Sequence, residues 1–150
     1  MTLVIGVGSR WRQDDGAGLQ VARQLRALEV PSLEVLAREG DQAGLLEDWR
    51  DAHQVVIVDA ASSGSRPGTI HRHDAAAGLL PARLSRTSTH AFGVAEAIEL
   101  ARALGRLPRS LLVYAIEGET FQVGEGLSAS MREAVDRLVA ELAVREPTCA

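Results

Sequence analysis

A chain of 150 residues, 46% apolar and 24% charged, has the composition of an ordinary soluble domain large enough to bury a core. Its formal net charge of −4, with 16 basic residues scattered along the chain, excludes the basic surface of a nucleic-acid binder and the polybasic tract of a membrane-surface protein. No apolar stretch approaches the roughly 18 residues of a transmembrane helix, and with a strand pattern that starts directly after Met1 no signal peptide is expected.

Strand and helix patterns alternate along the chain with short connections, as in α/β domains. Thr2 to Gly8 reads as a buried strand. A helix is expected from about Gly16 to Leu28, with Val21, Ala22, Leu25 and Leu28 on one face. Leu33 to Ala37 is a second strand and Gly44 to Arg50 a short helix. Gln54 to Asp59 is a third strand, nearly all apolar and therefore central.

Ala61 to Gly68 has loop composition. Thr69 to His73 alternates in character and suits a half-exposed edge strand, antiparallel to its neighbour. Asp74 to Thr89 lacks clear periodicity. Val94, Ala97, Ile98 and Ala101 are in helical phase, with Gly105 as a C-terminal stop, and Ser110 to Ile116 is a strand. An acidic loop follows over Glu117 to Gly126. In the last helix Ser130 and Glu133 form a capping box, and Met131, Ala134, Val135, Leu138, Val139 and Leu142 keep the helical period. The lone Cys149, near the end of a frayed tail, has no partner for an internal disulfide, so a reduced, cytoplasmic setting is expected. The predicted architecture is a single three-layer α/β/α domain over residues 1–150, with a twisted, mostly parallel sheet of about five strands and one antiparallel edge strand.

Chemistry-bearing residues gather where strands end. Asp14 and Asp15 follow the apolar run Leu3-Val4-Ile5 and its Gly6-Val7-Gly8 turn. Asp59 closes Val55-Val56-Ile57-Val58, and His90 precedes a helix. Each has a structural explanation alone. Acids are favoured in the first turn of a helix, a strand-end Asp closes turns, and a histidine beside Thr89 is easily satisfied. In an open α/β sheet, however, all are expected beyond the carboxyl ends of parallel strands, where ligand sites form. Two carboxylates and an imidazole meeting there suit a divalent cation.

A dinucleotide fingerprint needs glycine where Trp11 stands, and Asp14 and Asp15 would repel a pyrophosphate, so a nucleotide-binding module is a weak third reading. Trp11 and Arg12 either contact a substrate or cover the sheet end. His53 is expected to be exposed. His71 and His73 share a face of the edge strand and allow an incidental two-histidine site. Glu119 is a candidate for a further polar contact. No nucleophile elbow, zinc-protease helix or cysteine–histidine pair is present, so a hydrolase here would use water.

Taken in order, these segments resemble the hydrogenase maturation proteases over about residues 2–142. The resemblance lies in Gly6-Val7-Gly8-Ser9 followed by Asp14-Asp15-Gly16 and Gly18, Val55 to Ala60 with Pro67-Gly68-Thr69 beyond, Ser88-Thr89-His90 with Gly93, and Glu119 to Ser128. Ser9 stands where the family usually has Asn, Arg10-Trp11-Arg12 is more basic than usual, and Glu39-Gly40-Asp41-Gln42 replaces Asp-Gly-Gly-Thr.

The resemblance implies an endopeptidase that removes the C-terminal extension of a nickel-loaded nickel–iron hydrogenase large subunit. It implies Asp15, Asp59 and His90 as metal-binding and, with Asp14, catalytic residues. The cofactor expectation is a divalent metal, nickel presented by the substrate. The partner expectation is the large-subunit precursor, with no nucleic acid and no membrane, and a monomeric chain. The alternative is a non-enzymatic metal-sensing chaperone or checkpoint module on the same fold. Asp15 is expected to face the metal and Asp14 to cap the helix or hold the loop, their side chains diverging by about 100° along a helix.

Overall fold

The computed structural model describes residues 1–40, 42–81 and 93–144. Five strands form one sheet: β1 (Thr2–Gly8), β2 (Leu33–Glu39), β3 (Gln54–Ala61), β4 (Ile70–Asp74) and β5 (Ser110–Glu117), in the spatial order β2-β1-β3-β5-β4. Pairings β1–β2, β1–β3 and β3–β5 are parallel, and β4 runs antiparallel to β5 at the edge, as its alternating sequence predicts. β3 sits at the centre. Its run from Val55 to Ala61 is buried throughout because helices cover both faces.

The helices are α1 (Ala17–Leu28), a single turn α2 (Leu45–Asp48), α3 (Val94–Ala103) and α4 (Ala129–Val144). Side-chain alternation divides the core into two layers. Leu3, Ile5 and Val7 of β1, Val55 and Ile57 of β3, and Leu111 and Val113 of β5 pack against Leu45, Leu46 and Trp49 and against Val94, Ala97, Ile98 and Ala101 of α3. The alternate positions Val4, Val56, Val58, Tyr114 and Ile116 pack against Val21 and Leu25 of α1 and Met131, Val135, Leu138 and Leu142 of α4. Burying each of these branched side chains contributes about 1.5–3 kcal/mol before conformational entropy is subtracted.

α1 crosses β1 unusually closely. A Cβ on Gly18 would lie 2.3 Å from the carbonyl oxygens of both Val58 and Val7, and one on Gly6 would lie 1.9 Å from the Gly18 carbonyl oxygen. Only hydrogen at both positions lets the helix start directly above the ends of β1 and β3. The predicted boundaries need small changes. β2 and β3 each run two residues further than expected, to Glu39 and Ala61, and the predicted helix over 44–50 is a 3-10 turn at Gln42–Gly44 followed by α2.

The cap of α4 is also corrected. The Ser128 hydroxyl, rather than that of Ser130, accepts from the Met131 N–H at 3.3 Å, while the Ser128 carbonyl accepts from Arg132 N–H at 2.9 Å. Ser128 takes the position because the same hydroxyl donates to Asp14 at 2.8 Å. The sequence motif at 130 and 133 carries no such tertiary partner.

Candidate active site

Beyond Gly8 the chain doubles back on itself, and the Ser9 N–H donates to the Asp15 carbonyl at 3.1 Å. Gly8 is in the left-handed half of backbone space (φ 152°), and a Cβ there would meet the Asp15 carbonyl oxygen at 2.0 Å. This glycine admits the chain's own backbone where a nucleotide fold would admit a phosphate. The acid pair lies in a 3-10 turn, Gln13–Gly16, that leads into α1. Gln13 has φ 48°, uncommon for a residue with a side chain. It is held there by its N–H to the Gly124 carbonyl (3.0 Å) and by the Thr120 hydroxyl donating to its side-chain oxygen (2.5 Å).

Asp14 is fully buried, and four donors converge on its carboxylate. Glu119 N–H donates at 2.7 Å, Thr120 N–H at 3.3 Å, Ser128 N–H at 2.7 Å and Ser128 hydroxyl at 2.8 Å. Its own N–H donates to the Thr120 carbonyl at 3.0 Å. With both oxygens engaged, Asp14 has the geometry of a positioning residue that ties the 118–128 loop to the end of β1. No side-chain cap on α1 comes from it. Glu119 contributes its backbone; its side chain is exposed.

Asp15 and Asp59 are brought together. Asp59 lies near the end of β3 and Asp15 on the turn beside it, both buried. Burial first, and then the negative charge of Asp15, push the Asp59 carboxyl up to about 8, while the hydrogen bond from Ala60 N–H (2.8 Å) pulls the other way. The two acids therefore cannot both ionise freely near neutral pH. By strand alternation Asp59 continues the face of Ile57, the face covered by α3. His90, with Ser88 and Thr89, lies outside the described residues, so two of the three expected ligands are placed. Among the described residues no group of three His, Cys, Asp or Glu side chains stands ready to hold a metal.

A fourth buried acid was hidden in sequence. Glu117 reads as the start of an acidic loop but is the last residue of β5. Its carboxylate accepts from Ser63 N–H (2.8 Å), from the Ser63 hydroxyl (2.5 Å) and, at 3.2 Å, meets His71 Nε2. It thereby fastens the 61–65 loop beside Asp59. The signal that could have revealed it is register: Ala61 pairs Glu117, and Ala115 pairs both Asp59 and His71. His71 and His73 diverge in use, since His73 Nε2 lies 3.3 Å from the Gly78 carbonyl, and His53 is exposed as expected.

A doubly covered, mostly parallel sheet with a buried acid pair beyond its strand ends defines an α/β protein with a candidate site at the carboxyl edge. Residues 21–145 match the family model of the hydrogenase maturation proteases, and the chain belongs to that family. It is 30% identical over 138 residues to a hydrogenase expression/formation protein, HupD, of Thiocapsa roseopersicina, covering 89% of this chain and 62% of that one. The chain spans less than two thirds of the length of the curated relatives it matches. An endopeptidase from Escherichia coli has the same fold, with TM-score 0.79, 24% identity and coverage of 98% of this chain and 93% of that one. So has the nickel–iron hydrogenase maturation protease HycI from Thermococcus kodakarensis, with TM-score 0.75, 22% identity and coverage of 95% and 89%.

Proposed function

We propose that this chain is a maturation endopeptidase that cuts one peptide bond near the C-terminus of a nickel-loaded nickel–iron hydrogenase large-subunit precursor. The observation that carries the reading is the convergence of Asp15 and Asp59, two buried carboxylates, beyond the ends of β1 and β3. Family membership supplies the reaction class. Nickel arrives as part of the substrate, and Asp15, Asp59 and His90 are the residues proposed to complete its coordination. The donor set fits, because a dication between two carboxylates offsets the burial and the repulsion by Asp15 that together keep a proton on Asp59.

The contact reports that metal insertion is complete and brings the scissile bond to the acid pair. No side-chain nucleophile is at hand in sequence, so water adds to the carbonyl carbon. Its proton passes to a carboxylate and the C–N bond breaks as the amine is protonated. A pair sharing one proton can supply both a base and an acid.

The test is incubation of purified protein with nickel-loaded precursor, followed by mass spectrometry of the large subunit. Loss of a C-terminal segment is expected. Stable binding of the nickel-loaded form without mass loss would instead establish the non-enzymatic checkpoint module.

A further inference from the structure

We infer that Trp11 and Val123 form a preorganised apolar anchor, at the rim above the acid pair, for the folded body of the substrate protein. This rests on the proposed endopeptidase function and names the surface that function uses. Trp11 is 55% exposed and Val123 83% exposed. Their loops are joined directly: Gly124 N–H donates to the Trp11 carbonyl at 2.8 Å, and Arg12 bridges Gly124 in parallel fashion.

The place of the pair in the fold sets it apart. The other large exposed apolar side chains described are Met1, Leu28, Leu79, Leu100, Leu104 and Val144. Met1 precedes β1. Leu28, Leu100, Leu104 and Val144 lie in or beyond the C-terminal halves of helices that run back to strand starts, and Leu79 follows the antiparallel β4. All six belong toward the amino edge of the sheet. Of the large exposed apolar side chains among the described residues, Trp11 and Val123 alone occupy the carboxyl edge, where Asp15 and Asp59 are.

The anchor is also held still. Asp14 binds the loop beneath it through Glu119, Thr120 and Ser128, and Gln13 is locked at positive φ between Trp11 and the acids. An exposed tryptophan on a rigid mount loses little entropy when covered, which is the character of an interface hot spot. The Arg10 guanidinium lies 5.5 Å from the Trp11 ring and 3.2 Å from Glu39. Glu39 already meets the Arg10 charge, so the surface the anchor fits is an apolar recess. Because both acids are buried, a protein presenting a bond to them must come to rest on this rim, so the occupant is the precursor itself.

Processing kinetics on nickel-loaded precursor test the assignment, with W11S, V123S and the double variant beside the unaltered chain. The double variant is expected to lose at least tenfold in kcat/KM through KM. Its kcat at saturating precursor and its melting temperature should be unchanged, since neither side chain is in the core. Unaltered kcat/KM in the double variant, with the parent chain active, overturns the anchor and leaves the endopeptidase reading intact. A parent chain that neither binds nor cuts overturns both. Sedimentation provides the last arm: a parent dimer made monomeric by the substitutions would assign the patch to a second copy of this chain and overturn the proposal.

Discussion

At the residue scale, four buried carboxylates divide by their hydrogen bonds. Asp14 and Glu117 are saturated by N–H and hydroxyl donors and fix loops, whereas Asp59 has one short backbone donor and a like-charged neighbour. Asp15→Asn is expected to abolish processing with little change in melting temperature. Asp14→Asn places an amide N–H among four donors, so its cost should rise from the roughly 1 kcal/mol of a lost cap to about 2–3 kcal/mol. Denaturant melts and processing assays on both variants check the contrast. Asp59 also gives stability a pH dependence of definite sign. Its carboxyl is raised from 3.8 to about 8, so between those values the native state holds a proton that the unfolded chain has released. Stability from this group is thus greatest below the unfolded value, falls as pH rises toward 8, and levels off above it. Asp59→Asn should flatten that decline and be more stable than the parent at pH 8.5 while failing to process precursor. A parent chain whose stability rises between pH 5 and 8 relative to the variant would contradict the assignment.

At the element scale, what could be read in sequence was whatever depends on local pattern. The unbroken apolar run of β3 identified a central strand, the alternation of residues 69–73 an antiparallel edge, and Gly105 a helix stop. That stop is realised at φ 68°, with Gly105 N–H on the Arg102 carbonyl. The paired acids and Asp59 were legible for the same reason, as each follows its own apolar run. What escaped depends on partners far along the chain. Ser128 outcompetes Ser130 as a cap because Asp14 lies against it, 114 residues away in sequence, and Glu117 is buried because His71 and Ser63 reach it across strands. Ser128→Ala should therefore cost more than an isolated cap, about 1–2 kcal/mol, and loosen the loop above the acids. Ser130→Ala should be nearly silent. Gly18→Ala is a sharper probe, since its methyl would meet two backbone carbonyls that cannot rotate away. A loss of about 3 kcal/mol is expected in chemical melts.

At the scale of the whole molecule, the sheet separates stability from chemistry. Two apolar layers lock β1, β3 and β5 in register, and that rigidity permits two acids to be held together at the carboxyl edge against their repulsion. No helix among the described residues is long and apolar enough to cross a membrane. A molecule built this way should respond to a divalent cation as a unit. An ion that binds the folded chain and not the unfolded one raises stability by RT ln(1 + [L]/Kd), about 2.7 kcal/mol at a hundredfold excess over Kd. The cation must displace the proton held on Asp59, so its affinity should grow as pH rises toward 8. Adding Zn2+ or Ni2+ to the purified chain should therefore raise the melting temperature more at pH 8 than at pH 6. Asp15→Asn and Asp59→Asn should each remove most of that shift, whereas Glu117→Gln should keep it. His90→Ala extends the test to the third expected ligand. A cation-induced shift that survives both aspartate substitutions, or that shrinks as pH rises, would place the ion elsewhere and detach nickel recognition from the acid pair.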